Sequence, residues 1–131
     1  MKTNIKKTIL ILDDDKNIGR LVELILKTSH FTVARATNVD KALKRIKAKK
    51  PDIIISDIML ENESGFDLYW QLQKSQETDF IPIIFISAYP DQNVSGRKKI
   101  TAQGKAKSLF LAKLFSPQTL LQAINDVSSE D

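Results

Sequence analysis

Five short runs of apolar residues recur along this 131-residue chain, separated by segments with helical spacing. Three of the runs (8–12, 53–55 and 83–86) lack the alternation of a half-exposed strand, which is typical of strands covered on both faces. Five strand–helix units in a row predict an α/β domain with a parallel sheet and helices on both faces. The strand candidates are 8–13, 31–36, 53–57, 82–87 and 108–112.

The segments between the strands carry apolar residues at the i, i+3, i+4 spacing of amphipathic helices. Asp15, Asn38 and Ser116 are the expected N-caps, and Pro117 suits the first position of the last helix. The fourth helix contains Gly96 and few apolar residues, so we expect it to be short or frayed. Helices are predicted over 16–29, 38–49, 65–75, 91–103 and 117–128.

Length and composition limit the class of protein. The length fits one domain, 1–131, with its core at about residues 6–128. The absence of cysteine excludes disulfides and a cysteine-based zinc site. No signal peptide or membrane-length apolar run is evident, so we expect a cytoplasmic protein. Residues 41–50 and 96–113 each carry six basic residues and no acid, which indicates solvated helix faces or, less readily, a surface for an acidic partner or nucleic acid.

Charged residues stand at the ends of three strand candidates. Asp13, Asp14 and Asp15 follow the first, Asp57 ends the third and Lys113 follows the fifth. The carboxyl ends of parallel strands share one edge of a sheet, where ligands bind at the topological switch point. Adjacent carboxylates repel one another, and a cation is the natural way to hold them close. The pattern therefore predicts a magnesium-dependent site for phosphate chemistry on an aspartate.

Four segments, in this order, resemble the response-regulator receiver domain of two-component signalling. They are LeuIleLeuAspAspAsp (10–15), AspIleMetLeu…SerGlyPhe (57–66), PheIleSerAla (85–88) and LysLeuPheSer (113–116). The resemblance covers about residues 6–128 and implies a flavodoxin-like (CheY-like) fold with strand order 2-1-3-4-5. It also implies a phosphoprotein that promotes only its own phosphotransfer and dephosphorylation, and is not otherwise an enzyme.

The resemblance implies that Asp57 is the phosphoacceptor. The donor would be a phosphohistidine on a sensor histidine kinase or a histidine phosphotransfer protein. Mg²⁺ is the implied cofactor, bound directly by Asp14 and Asp57, through water by Asp13, and by the backbone carbonyl of Met59.

Three further residues have implied roles in the same site. Lys113 would supply a second positive charge beside the phosphoryl group, and the Ser87 hydroxyl would donate to a phosphoryl oxygen. Ser87 and Phe110 would form the switch that alters the face made by the fourth helix, fifth strand and fifth helix. A basic face of this kind suggests an acidic protein partner; its cations are Arg97, Lys98, Lys99, Lys105 and Lys107.

Several positions depart from the family pattern. Leu114 replaces the proline that usually follows the lysine through a cis bond, and a non-proline cis bond costs about 2.5–4 kcal/mol, so we predict a trans Lys113–Leu114 bond. Glu61 replaces a common proline, and residues 106–107 are AlaLys instead of GlyAla. Met59 and Tyr89 are large and carry no acid or amide, which suggests slow self-dephosphorylation.

The residues fit other functions less well. A haloacid dehalogenase-type phosphatase needs an acid two residues after its nucleophile, where this chain has Met59. A flavodoxin-like flavin site needs a Ser/Thr-rich phosphate loop, where the acidic triplet would repel phosphate. The main alternative is a pseudo-receiver that binds partners without phosphorylation. His30, the one histidine of the chain, is expected to end the first helix.

We also expect a stand-alone receiver without an output domain. Such a protein would signal through a protein partner in a phosphorelay, with no direct nucleic-acid or membrane contact.

Overall fold

The computed structural model describes residues 6–89, 93–113 and 115–128. Strands and helices alternate along the chain, as the apolar pattern predicts. The elements are β1 (Thr8–Leu12), α1 (Lys16–Thr28), β2 (Thr32–Ala36), α2 (Val39–Ala48), β3 (Ile53–Asp57), β4 (Met59–Leu60), β5 (Glu63–Ser64), α3 (Gly65–Leu72), β6 (Ile83–Ser87), α4 (Val94–Gln103), β7 (Ser108–Ala112) and α5 (Pro117–Ser128).

The main sheet has five parallel strands in the order β2-β1-β3-β6-β7. This confirms the predicted order 2-1-3-4-5, since only the numbering differs. The numbering changes because β4 and β5 form a separate antiparallel pair, which the sequence pattern did not indicate. All five residues of the central strand β3 are buried, as expected for a strand covered on both faces.

Two hydrophobic clusters cover the two faces of the sheet. Along β1, Leu10 and Leu12 point to one cluster, whereas Ile9 and Ile11 point to the other. The first cluster contains buried residues of α2, α3 and α4, and the second contains those of α1 and α5. None of the helices in the described ranges has the length and apolar character needed to cross a membrane.

The three predicted N-caps are confirmed. The side chains of Asp15, Asn38 and Ser116 accept backbone hydrogen bonds at the starts of α1, α2 and α5. The predicted end of α3 at residue 75 is wrong. Helix α3 ends at Leu72. The carbonyl of Leu72 accepts a 2.7 Å hydrogen bond from the Thr78 hydroxyl, which stabilises a turn in place of a further helical turn.

Helix α4 is not short, since it has ten residues as α2 does, but it starts without a side-chain cap and buries little. It runs from Val94 to Gln103, and positions 91 and 92 of the prediction lie outside the described residues. Asn93 precedes it with φ 62° and no side-chain cap hydrogen bond, and Ile100 is its one buried residue. Helix α4 is therefore held to the sheet by few contacts.

Candidate functional site

The ends of four parallel strands bring the predicted site residues to one edge of the sheet. Asp57 and Ser87 are the last residues of β3 and β6, while Asp13 and Lys113 follow β1 and β7 directly. Strands β1, β3, β6 and β7 are consecutive neighbours in the sheet, so residues distant in the chain converge here.

Three carboxylates form the centre of this edge. Asp13, Asp14 and Asp57 each place a carboxylate oxygen within 4.8 Å of those of the other two. Asp13 and Asp57 are buried, 4% and 3% exposed, whereas Asp14 is more open to solvent. Carboxylate oxygens in such a group are the ligands that Mg²⁺ prefers, so the residues present fit a bound Mg²⁺. Asp15 lies outside the group and caps α1.

Burial makes the charge on Asp13 costly. It raises the pKa of Asp13 from 3.8 to about 6, and the nearby charge of Asp57 acts in the same direction. The backbone N–H of Asp15, which donates to Oδ1 of Asp13 at 2.8 Å, and the charge of Lys113 offset part of this rise. A divalent cation beside the group would favour the ionised carboxylate.

Lys113 is the cation that faces the acids. Its Nζ lies 2.9 Å from Oδ2 of Asp57, and its backbone N–H donates to the carbonyl of Ser87 at 2.9 Å. Burial acts to lower the pKa of Lys113, but the hydrogen bond and charge of Asp57 outweigh it, so the pKa is raised. The predicted trans Lys113–Leu114 bond lies outside the described residues, because Leu114 is not among them.

The loop after Asp57 is tied to the acids by backbone hydrogen bonds. The N–H of Met59 donates to Oδ1 of Asp57 at 3.2 Å, and the N–H of Glu61 donates to Oδ2 of Asp14 at 2.6 Å. This loop includes β4 and β5, so the short hairpin positions backbone groups beside the site. The metal role of the Met59 carbonyl stays a prediction.

The predicted switch residues Ser87 and Phe110 lie on the neighbouring strands β6 and β7. The buried Ser87 hydroxyl accepts a 3.1 Å hydrogen bond from the N–H of Tyr89. The half-buried ring of Phe110 stacks on Phe85, with ring centroids 5.3 Å apart. The guanidinium of Arg97, a residue of α4, lies 4.6 Å from the centroid of the Phe110 ring. Phe110 therefore connects Phe85 on β6 to Arg97 on α4.

Comparison with known proteins agrees with this arrangement. The family model for the response regulator receiver domain matches residues 9–125. The chain belongs to this family. The match spans β1 through most of α5 and so includes every residue of the candidate site.

Relatives of this receiver domain include regulators of different lengths. The phosphate regulon transcriptional regulatory protein PhoB of Pseudomonas aeruginosa is 31% identical over 92% of this chain and 51% of its own length. Protein PilH of the same species is 31% identical over 91% of this chain and 95% of its own length. The chain thus spans about half the length of PhoB and of several other curated relatives that it matches.

Solved structures give the same fold. The chemotaxis protein CheY4 of Vibrio cholerae superposes with a TM-score of 0.84 at 25% identity, covering 94% of this chain and 99% of its own. A response regulator from Chloroflexus aurantiacus gives a TM-score of 0.81 at 28% identity, covering 95% and 98%.

The site also depends on residues to which the sequence analysis gave no role. Gly65, the first residue of α3, packs so closely that a Cβ there would overlap the carbonyl oxygen of Asp57 and lie 2.6 Å from the Ser56 hydroxyl. The preceding Ser64 forms a capping box with Asp67. The predicted start of this helix at residue 65 is thus confirmed, and the Ser-x-x-Asp spacing is a further sequence signal for it.

Glu63 is a second residue of this kind. Its Oε2 accepts a 2.9 Å hydrogen bond from the N–H of Val39, the first residue of α2. The loop after Asp57, here called the acceptor loop, is thereby connected to α2. No local sequence signal marks this contact, because the two residues are 24 positions apart.

Proposed function

We propose that this receiver accepts a phosphoryl group on Asp57 from a phosphohistidine of a sensor kinase or a histidine phosphotransfer protein. The observation that carries the proposal is the grouping of Asp57 with two further carboxylates within 4.8 Å and with Nζ of Lys113 at 2.9 Å. Asp57 and the incoming phosphoryl group are both anionic, so cations at this edge are what makes their approach favourable.

The transfer exchanges one bond for another. A carboxylate oxygen of Asp57 bonds to phosphorus while the bond from phosphorus to the donor imidazole nitrogen breaks, and its electron pair stays on that nitrogen. Asp13, Asp14, Asp57 and the carbonyl of Met59 would hold Mg²⁺, which when bound supplies positive charge against the acids and the phosphoryl oxygens. The chain would thus promote its own phosphorylation and dephosphorylation and act as no other enzyme.

Lys113 and Ser87 would bind the transferred group. Nζ of Lys113 already hydrogen-bonds the carboxylate of Asp57, so it would lie beside the oxygens of the transferred phosphoryl group. The Ser87 oxygen accepts from the N–H of Tyr89, which leaves its own proton available for a phosphoryl oxygen. Both contacts would use groups that the unphosphorylated protein already holds in place.

The response to phosphorylation would pass through Phe110. Its ring lies between Phe85 in the core and Arg97 on α4, and α4 itself buries only Ile100. A movement near Ser87 would therefore meet little resistance in α4. A groove of about 440 Å³ between α4 and β7, with Phe110 in its wall, would change shape with that movement.

We further propose that the face formed by α4, β7 and α5 binds an acidic protein partner. Several of its cations already contact the receiver itself: Arg97 lies over Phe110, Lys99 lies 5.3 Å from the ring centroid of Trp70, and Lys105 pairs with Asp79. Because an acidic partner would compete for these cations, binding would be coupled to the packing of α4. A cytoplasmic location stays a prediction from the sequence.

Phosphorylation is tested with acetyl phosphate and Mg²⁺, monitored by intact mass. We expect the mass of one phosphoryl group to be added to the wild type. No mass gain is expected when EDTA is present from the start to remove Mg²⁺, or in Asp57→Asn. Asp126→Asn, on the exposed surface of α5, is the matched control and should behave like the wild type. A gain that persists in Asp57→Asn would contradict the proposal.

The basic face is tested by charge reversal. Lys98→Glu should weaken capture of the partner by the phosphorylated receiver and leave the rate of phosphorylation unchanged. Lys47→Glu on α2 is the control for the same change of charge elsewhere. Equal capture of the partner by the wild type and by Lys98→Glu would show that the charge of Lys98 does not contribute to partner binding.

A further inference from the structure

A basic concavity of about 860 Å³ lies among α1, β2 and α2. Six of its lining side chains are cationic and come from three separate elements. The other three are neutral, so no acid is among the described residues that line it. The cations are Lys16, Arg20, Arg35, Lys41, Lys44 and Arg45.

One of these cations is oriented by contacts within the protein. The Arg35 guanidinium contacts Oε1 of Glu23 and the carbonyl of Lys16, each at 3.3 Å. It lies against the backbone of Gly19, where a Cβ would come within 2.5 Å of its terminal nitrogen. Glycine inside a helix lowers helix stability, and here its missing side chain makes room for the guanidinium.

The remaining charges are poorly compensated by the protein. Arg35 pairs with Glu23 and Lys44 pairs with Asp40. The other four cations form no ion pair with the residues that the structure describes. Like charges gathered in one concavity repel, and an anionic occupant would relieve that repulsion.

We propose that this concavity binds a small molecule that carries two or more phosphate groups. Its volume is in the range of small-molecule sites, and arginine forks bind phosphate oxygens in pairs. None of the described lining residues is aromatic, so the stacking platform of a single-stranded nucleic-acid site is missing. Recognition would depend on the phosphates, which a nucleotide or an inorganic polyphosphate could equally supply.

The site is distinct from the phosphoacceptor but linked to it by structure. Asp15, next to the acidic group, caps α1 just before Lys16 and Asn17. Glu63, in the acceptor loop, hydrogen-bonds the first residue of α2. Both helices that line the concavity therefore start at contacts with the site around Asp57, although binding itself needs no phosphorylation.

The test is calorimetry of the full chain with inorganic tripolyphosphate in buffer containing EDTA, so that the magnesium site is empty. We expect saturable 1:1 binding that weakens about tenfold or more in Arg20→Gln/Arg45→Gln, because two charge-assisted hydrogen-bonding groups are lost. The control Lys47→Gln/Lys74→Gln removes the same charge outside the concavity and should change affinity by less than about twofold. Asp57→Asn should bind as the wild type does.

Amide chemical shifts of the wild type provide a second measurement that needs no variant. Tripolyphosphate should shift the amides of Gly19 and Lys41 more than those of α5. Tighter binding of ADP than of tripolyphosphate would indicate a nucleotide, and equal binding would indicate phosphates alone. The proposal is overturned by no saturable binding, by equal losses in the two double variants, or by an oligonucleotide that binds here and is not displaced by tripolyphosphate.

Discussion

The ammonium nitrogen of Lys113 lies 2.9 Å from Oδ2 of Asp57, although 56 positions separate the two residues in the chain. Asp57 ends β3, and Lys113 follows β7, with β6 between them in the sheet. The backbone N–H of Lys113 also donates to the carbonyl of Ser87, the last residue of β6. Sheet register therefore positions the lysine, even though Leu114 replaces the usual proline beside it.

Replacing this lysine should destabilise the protein. Lys113→Met leaves the carboxylate of Asp57 buried without its cation, and we expect a loss of about 2 kcal/mol in the free energy of unfolding at pH 7 without Mg²⁺. Lys44→Met is the control, because its pair with Asp40 is exposed and worth less than about 1 kcal/mol. Urea denaturation measures both. Equal effects would show that the Lys113 pair contributes no more than a surface pair.

The raised pKa of Asp13 gives a pH dependence with a definite sign. The carboxyl has a pKa of about 6 in the folded protein against an ordinary value of 3.8, so its stabilising contribution is present below pH 3.8 and is lost as the pH rises through 6. Asp13→Asn should raise the metal-free free energy of unfolding at pH 7 by about 2–3 kcal/mol, flatten its pH dependence between 4 and 7, and weaken Mg²⁺ binding.

Asp40→Asn, an exposed acid on α2, is the matched control for this prediction and should change stability by less than about 1 kcal/mol. Denaturation at several pH values, with and without Mg²⁺, measures the effect. An Asp13→Asn protein that is less stable than the wild type at pH 7 would contradict the explanation that the buried charge of Asp13 destabilises the metal-free protein.

Gly65 should tolerate no side chain. Gly65→Ala places a methyl group against the Asp57 carbonyl and the Ser56 hydroxyl, and such overpacking costs about 1–3 kcal/mol. The backbone has to move at the acceptor, so the rate of phosphorylation should fall as well. Gly19→Ala is the matched control, since its neighbour is the movable end of Arg35 and alanine favours the helix by about 1 kcal/mol. Thermal denaturation and the rate of phosphorylation by acetyl phosphate measure both variants. Equal effects of Gly65→Ala and Gly19→Ala would contradict the prediction.

Tyr89 is predicted to shield the aspartyl phosphate from water. Its side chain is 58% exposed, and its N–H donates to the hydroxyl of Ser87 beside the acceptor. Tyr89→Ala should speed loss of the phosphoryl group about fivefold, which corresponds to about 1 kcal/mol in the barrier. Phe80→Ala, an equally exposed aromatic in another loop, should leave the rate unchanged. An unchanged rate in Tyr89→Ala would exclude steric shielding.

The main sheet could be predicted because three of its strands are unbroken apolar runs and because α1, α2 and α5 start at side-chain caps. The pairing β4–β5 could not, since two-residue strands are too short to show a period. The end of α3 was also missed, because the Thr78 hydroxyl that binds Leu72 comes six residues later. Both errors lie where contacts beyond the local pattern decide the backbone.

The site was predictable in membership but not in detail. Strand ends indicated which charged residues would meet, and Asp13, Asp14 and Asp57 do so. Adjacent identical residues cannot reveal that Asp13 is buried and Asp14 is more open. The contact between Glu63 and α2 likewise depends on three-dimensional packing.

The most direct test locates the phosphoryl group itself. The protein is phosphorylated with acetyl phosphate and Mg²⁺ and then reduced with borohydride, which converts an aspartyl phosphate to homoserine. Peptide mass spectrometry reads the position. We predict homoserine at position 57 and unmodified aspartate at 13 and 14. Homoserine at another position, or none in a protein shown to be folded, would contradict the assignment of Asp57 as the phosphoacceptor.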